Sequence, residues 1–327
     1  MKRRAFIAAL GGAAAWPLVA RGQQPMSPIV GFLYGATFKL ASAQPYLSAF
    51  REGLGSLGYV DGQNLRIEFR EADGRYERLP DLAADLVRLE PAVIVAAQLP
   101  AALAAKAATA TIPIVFTAAD DPVKNGLVAS IRRPGGNATG VNPMVVAPEG
   151  KRLGLLHELV PDASTIGVLF NPDSPDASSH LQDIEAAGHA LGLELVIINV
   201  SEESGLETAF LWVHEQQIEA LLVAADPLFS NRIDRVADLA TEYKVPAIYS
   251  LRFDAVAGGL MSYGPSLTDS YRQLGVYTAR VLKGEKPSDM PIWQTVKFEL
   301  VINLKTAKAI DLEIPPALLA GANEVIE

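Results

Sequence analysis

The sequence predicts an α/β protein of two doubly wound parallel-sheet lobes, and three observations carry that prediction. Short continuous apolar runs such as Ile29–Tyr34 and Ile112–Phe116 alternate with amphipathic stretches of helical period. This is the pattern of parallel strands buried on both faces, joined by helical crossovers. The alternation runs once through Phe116 and begins again at Leu153. The chain has 327 residues, 50% of them hydrophobic, which is enough for two domains with cores of their own.

The chain opens on a processing segment. Lys2, Arg3 and Arg4 precede an apolar stretch from Phe6 to Val19, and the small residues Ala20 and Gly22 flank Arg21 as at a cleavage site after Gly22. Residues 1–22 are therefore expected to be an export signal. The order Arg3-Arg4-Ala5-Phe6-Ile7 resembles a twin-arginine signal. The apolar run is short and holds Pro17, so it is not expected to span a membrane. Loss of residues 1–22 removes four basic residues and no acidic one, leaving 24 basic against 37 acidic groups and a charge of −13. No later segment reaches membrane length, so the mature chain is expected to be soluble, not membrane-inserted, and monomeric.

Strands are expected at Ile29–Tyr34, Asn64–Arg70, Ala92–Ala96 and Ile112–Phe116, with helices at Gln44–Leu57, Tyr76–Leu89 and Pro100–Thr109 between them. A short helix is expected from Pro122 to Arg132, and a crossing to the second lobe within 137–148. The second series has strands at Thr165–Phe170, Leu193–Val200, Ala220–Ala224 and Pro246–Tyr249. Its helices are expected at Leu153–Leu159, Ser178–Leu191, Leu206–Gln216 and Phe229–Tyr243. A third segment adds a strand at Gly259–Ser262, a helix at Ser270–Leu282, a strand at Phe298–Ile302 and a helix at Leu304–Ile310. The expected division is an N-terminal lobe of 27–143 plus about 253–292, and a C-terminal lobe of 144–252 plus about 293–327.

Prolines mark the strand-to-helix turns at Pro45, Pro100, Pro122, Pro172 and Pro227, as suits a first helical position with no N–H to satisfy. Asp or Asn before several of them suits the N-cap. VFTAADDP, VLFNPD and LLVAADP are close variants. They read as equivalent strand ends, two in the second lobe facing one in the first. Helix starts converging there offer free N–H groups and positive dipole ends to a carboxylate.

Several function classes are disfavoured. An acidic chain of charge −9 without a basic stripe is a poor nucleic-acid binder. With no cysteine, disulfides, thiolate metal sites and cysteine nucleophiles are absent. Gly53-x-Gly55-x-x-Gly58 matches a dinucleotide fingerprint, but it closes a helix instead of opening one. Capping by Gly58 accounts for it better. His157, His180, His189 and His214 lack metal-site spacing, and no nucleophile elbow or phosphate loop occurs. No cofactor, no metal and no catalytic residue is expected.

The candidate ligand-binding residues lie at predicted strand ends. Asp121 and Asp226 are helix caps that are also placed to pair with a ligand ammonium. Gln98 and Thr117 are placed to hydrogen-bond a ligand carboxylate. Tyr34, Tyr249 and Tyr263 offer rings to flank a ligand, and Asn142 and Asn171 complete the set.

Six stretches then carry a family resemblance: PAALAAK (100–106), Asp121-Pro122-Val123, RPGGNATG (133–140), GKRL (150–153), GGLMSYGP (258–265) and KFELVIN (297–303). Together they resemble the ABC-transporter substrate-binding proteins of the tryptophan/tyrosine-type group, over nearly the whole chain. The resemblance implies the type I periplasmic-binding fold, with two lobes joined by three crossings and a small-molecule ligand between them. It also implies delivery to an ABC permease in the inner membrane, and amino-acid or related carboxylate ligands, aromatic ones among them. Where relatives commonly carry a small hydroxyl residue before PAALAAK, this chain has Gln98-Leu99, which reshapes the pocket. The expected function is a periplasmic solute-binding protein of an importer. A periplasmic sensor feeding a membrane signalling protein is the alternative, with a secreted hydrolase behind it.

Overall fold

The computed structural model describes residues 27–36, 38–39, 43–119, 121–143, 149–174, 177–295 and 297–327. The expected export signal, and residues 144–148 of the expected crossing, lie outside them.

The first series of elements is β1 (Ile29–Tyr34), α1 (Gln44–Gly55), β2 (Arg66–Glu71), α2 (Leu79–Arg88), β3 (Val93–Ala97), α3 (Leu99–Ala108), β4 (Ile114–Thr117) and β5 (Ala138–Asn142). The strands align as β2-β1-β3-β4-β5, every pair parallel. All five residues of β3 are buried, as a central strand covered on both faces requires. Between β4 and β5 the chain makes a turn at 122–126 where a helix is expected. Gly126, at φ 70°, ends it after one turn.

The second series is α4 (Glu149–Leu159), β6 (Thr165–Phe170), α5 (Ala177–Leu191), β7 (Glu194–Asn199), α6 (Leu206–Glu215), β8 (Ala220–Val223), α7 (Pro227–Ser230), α8 (Ile233–Glu242), β9 (Ala247–Tyr249), α9 (Arg252–Val256) and β10 (Met261–Pro265). The chain then adds α10 (Leu267–Leu282), β11 (Trp293–Gln294), β12 (Phe298–Asn303), α11 (Leu304–Ala309), α12 (Pro316–Gly321) and β13 (Glu324–Ile326). The second sheet runs β7-β6-β8-β9-β10-β12-β13, with β12 antiparallel to β10. The single helix expected over 229–243 is two, broken at 231–232.

Each sheet with its own helices forms a lobe. α10 packs along α1, where Tyr271 and Leu274 join the core around Phe32 and Phe50, and β11 pairs in parallel with β5. Both therefore belong to the first lobe. β10 pairs with β9 and β12, so 253–265 lie with the second sheet, unlike the expected division. Likewise β11 at 293–294 lies with the first. A short strand carries no lobe label in its own residues; only its pairing partner assigns it.

Three passages join the lobes. The chain leaves β5 after Asn142 and enters α4 at Glu149, passes from β10 to α10 at 265–267, and returns from β11 to β12 across 295–297. The second and third are tied by Ser266 N–H donating to Lys297 O at 2.9 Å. Thr295 N–H donates to Asn142 O at 3.2 Å, tying the third to the end of β5.

Candidate ligand-binding cleft

Parallel strands followed by helices expose a carboxyl edge, and ligands of such folds bind where the strand order reverses. In the first sheet that point lies between β1 and β3, and in the second between β6 and β8. Both carboxyl edges meet at the passages. β5, β10 and β11 leave by their carboxyl ends. α4 starts at the second sheet's edge, where Arg152 reaches Val223 O. β12 starts opposite the end of β10, Phe298 against Pro265.

In the second lobe the reversal point carries a polar pair. Asn171 follows β6 and Asp226 follows β8; Asn171 Nδ2 donates to Asp226 Oδ1 at 3.0 Å. The same carboxylate oxygen accepts Leu228 N–H at 2.8 Å, and Asn171 Oδ1 accepts Asp173 N–H at 3.0 Å. Each side chain therefore caps the turn that follows its own strand while bridging to the other. Asp226 keeps 8% of its surface exposed, a carboxylate at the edge with acceptor capacity to spare.

In the first lobe the reversal point is built by Gly35 after β1 and Gln98 after β3. Gln98 holds φ 78° and ψ 151°, a region nearly reserved for glycine. Its N–H donates to Thr117 O at 2.9 Å and its carbonyl accepts Ala102 N–H at 3.0 Å. The backbone is thus clamped between β4 and the first turn of α3. Thr117 ends β4 and is 6% exposed. Asp121 lies on the surface, where Oδ1 accepts Val123 and Lys124 N–H at 2.8 and 3.1 Å.

The three similar sequences that led to Asp121, Asn171 and Asp226 occupy different places in the strand order. VLFNPD and LLVAADP end the paired strands β6 and β8. VFTAADDP ends β4, one strand away from the first lobe's reversal point. The shared residues encode a common cap, not a common position.

The aromatic candidates divide. Tyr34 stacks on Phe38 with ring centroids 4.4 Å apart, and Tyr271 packs edge-on against Phe38 in the same cluster. Burial pushes the Tyr34 hydroxyl up. Tyr263 stacks on Phe298 at 5.8 Å beside the passages. Tyr249 is 1% exposed inside the second lobe's core. Asn142 is buried at the end of β5, where its carbonyl joins the first passage to the third.

Beneath the second lobe's edge is a charged group that the sequence reading missed. Glu149 and Arg152 on α4 are each 1% exposed and ion-paired, and His180 of α5 also contacts Glu149 Oε1. Burial alone would push the Glu149 carboxyl up; Arg152 and His180 outweigh it and hold the carboxyl below the usual range. Asp254 of α9, 2% exposed, accepts Leu251 N–H at 2.9 Å through Oδ2. Its other oxygen, like the Tyr249 hydroxyl, has no partner among the described residues. The gap they border, lined also by Val223, Phe229 and Ser230, is too narrow for a water molecule. Burial therefore pushes Asp254 up to about 7, although the Leu251 N–H and the Arg152 charge pull the other way. Hydrophobic periodicity gives no signal for such residues, because charges are expected to be exposed.

Among the described residues no cluster of three metal-ligating side chains occurs, and no helix is long and apolar enough to cross a membrane. The two carboxyl edges offer hydrogen-bonding groups, Thr117 and Gln98 on one and Asn171 and Asp226 on the other.

Comparison with known proteins agrees. The model of the family described as ABC transporter substrate binding protein matches residues 41–326. A tyrosine-binding protein of Clostridioides difficile is 30% identical over 264 residues, 81% of this chain and 76% of that protein. The crystal structure of an ABC domain in complex with L-Trp from Streptococcus pneumonia is 25% identical, with TM-score 0.77 over 92% of this chain and 100% of that one. A ligand-free, open substrate-binding protein with adhesive properties from Clostridium difficile matches with TM-score 0.74 at 25% identity, over 91% of this chain and 99% of that one. A periplasmic binding protein of Burkholderia mallei, 13% identical with TM-score 0.57 over 84% of this chain and 88% of that one, shares the fold. The fold is the type I periplasmic-binding fold, and the chain belongs to the ABC transporter substrate-binding protein family, a family of binding proteins and not of enzymes.

Proposed function

We propose that the chain is the solute-binding component of an ABC importer, exported to the periplasm by residues 1–22. Either the general secretory route or the twin-arginine route, which Arg3-Arg4 resembles, fits that export. The protein closes its lobes around an amino acid or related carboxylate and delivers it to a permease in the inner membrane. The observation that carries the reading is the pairing of two polar reversal points, Gly35 with Gln98 and Asn171 with Asp226, on edges joined by three passages. The relatives support the class of ligand, one being named for tyrosine and another holding L-Trp.

The division of labour follows from charge. Asp226 faces the ligand's ammonium from the second lobe. Thr117, Gln98 and the start of α3 face its carboxylate from the first, and Asp121 and Asn142 stand at the margin. Tyr34 and Tyr263 flank the site, and Tyr249 supports it from below. A ligand touching both edges binds the closed form better than the open one, and that difference alone drives closure.

Calorimetric titration of the mature protein with the standard L-amino acids, L-Trp and L-Tyr first, tests this. Asp226→Ala is expected to weaken the amino acid that binds by about tenfold or more, the cost of a lost charged hydrogen bond. The same substitution lowers stability by only about 1 kcal/mol, as loss of a cap does. An affinity within about twofold of the original would remove Asp226 from the site.

A further inference from the structure

Gln98 carries two costs at one place. Its backbone occupies a region that disfavours any side chain, at φ 78° and ψ 151°, and such strain persists only where the surroundings impose it. Its side-chain Oε1 is buried and has no hydrogen-bond partner among the described residues. A buried polar atom left unpaired is itself unfavourable. A core position would have shed both costs by carrying glycine.

The surroundings show where the side chain goes. Gln98 ends β3 and Gly35 follows β1, neighbouring strands at the reversal point of the first sheet. A Cβ on Gly35 would stand 2.4 Å from Gln98 Oε1 and 3.1 Å from the Tyr76 ring. Gly35 is therefore the space into which the carboxamide is turned. Gly35 has no positive φ to explain it; the close approach of Gln98 is its reason.

We infer that Gln98 sets the specificity of the cleft: its carboxamide fills the reversal point of the first lobe and hydrogen-bonds the bound ligand, with Gly35 making room for it. The inference rests on the reading of this cleft as an amino-acid site. The unpaired Oε1 accepts from the ligand's ammonium, and the amide nitrogen of the same carboxamide donates to its carboxylate. It also shortens this end of the cleft, so the ligand is graded by how its head meets Gln98 as well as by its side chain.

Two substitutions test this, read by melting temperature without ligand and by calorimetric titration with L-Trp, L-Tyr and the other standard amino acids. Gln98→Gly is expected to melt higher than the original, because glycine takes this backbone without strain. It is also expected to bind the best amino acid about tenfold more weakly and to flatten the ranking among amino acids. Gly35→Ala keeps Gln98 but displaces its carboxamide, and is expected to weaken the same amino acid. Combined with Gln98→Gly it adds little, as two residues acting through one contact do.

Binding and ranking unchanged in both variants would overturn the role of Gln98 while leaving the amino-acid site intact. Additive losses in the double variant would overturn the pairing of Gly35 with Gln98. No heat from any amino acid with the original protein would remove the amino-acid site, and this inference with it.

Discussion

Asp254 shows how a single residue can carry a pH dependence that a sequence does not announce. Its carboxyl is pushed up to about 7, chiefly by burial, from an ordinary value of 3.8. A raised carboxyl binds its proton more tightly in the folded state. Its contribution to stability is thus complete below the ordinary range and is lost as pH rises through about 7. Asp254→Asn stays neutral throughout and retains an oxygen for Leu251 N–H. The variant is expected to gain melting temperature over the original on going from pH 5 to pH 8, with a benefit of at most about 3 kcal/mol, since about two units of the shift fall in that window. Thermal melts at both values check it, and an identical pH dependence in the two proteins would refute it. Nothing in Phe253-Asp254-Ala255 hints at this burial. The same holds for Glu149, and for Arg152, which stood in the sequence only as part of a family motif. Asp226 and Asn171 were legible because cap chemistry is written locally, as a polar residue before a proline. Their mutual hydrogen bond was not, since it joins residues 55 positions apart.

Among the elements, α1 and α10 decide how the chain returns to the first lobe. The two helices cross at glycines. A Cβ on Gly53 would stand 2.0 Å from Arg272 O, and one on Gly275 would stand 2.1 Å from Phe50 O. The helix backbones therefore touch, which explains the first glycine of the motif that imitates a dinucleotide fingerprint. Gly58, at φ 92° just past α1, is the cap that explains the last. Gly275→Ala is expected to cost about 1–3 kcal/mol by forcing the helices apart. Gly55→Ala, on the same helix but with nothing near its Cβ, is expected to be neutral or slightly stabilising. Denaturant unfolding of both variants checks the contrast, and equal effects would show that the crossing is not tight. Most strands and long helices were legible from period alone, because each buries a continuous apolar face. β5, whose ATGVN falls inside the expected crossing, was not, and neither were β11, of two residues, and β13, of three. So few residues hold no period, and pairing alone makes them strands.

At the scale of the whole molecule, two similar sheets present their reversal points on edges joined by three passages. The doubling was visible in the repeated strand–helix rhythm, while the exchange of 253–265 and 293–294 between lobes was not, since it rests on strand pairing. The passages are hydrogen-bonded to one another through Ser266, Lys297, Thr295 and Asn142, and the proposed function requires them to bend together while the lobes move as bodies. A clamp of this kind closes only when its ligand favours the closed form. Small-angle X-ray scattering of the mature protein, without ligand and with a saturating amount of the amino acid found by titration, measures that closure directly. The radius of gyration is expected to fall with ligand and to recover when the ligand is removed by dialysis. An unchanged radius at saturation would contradict it.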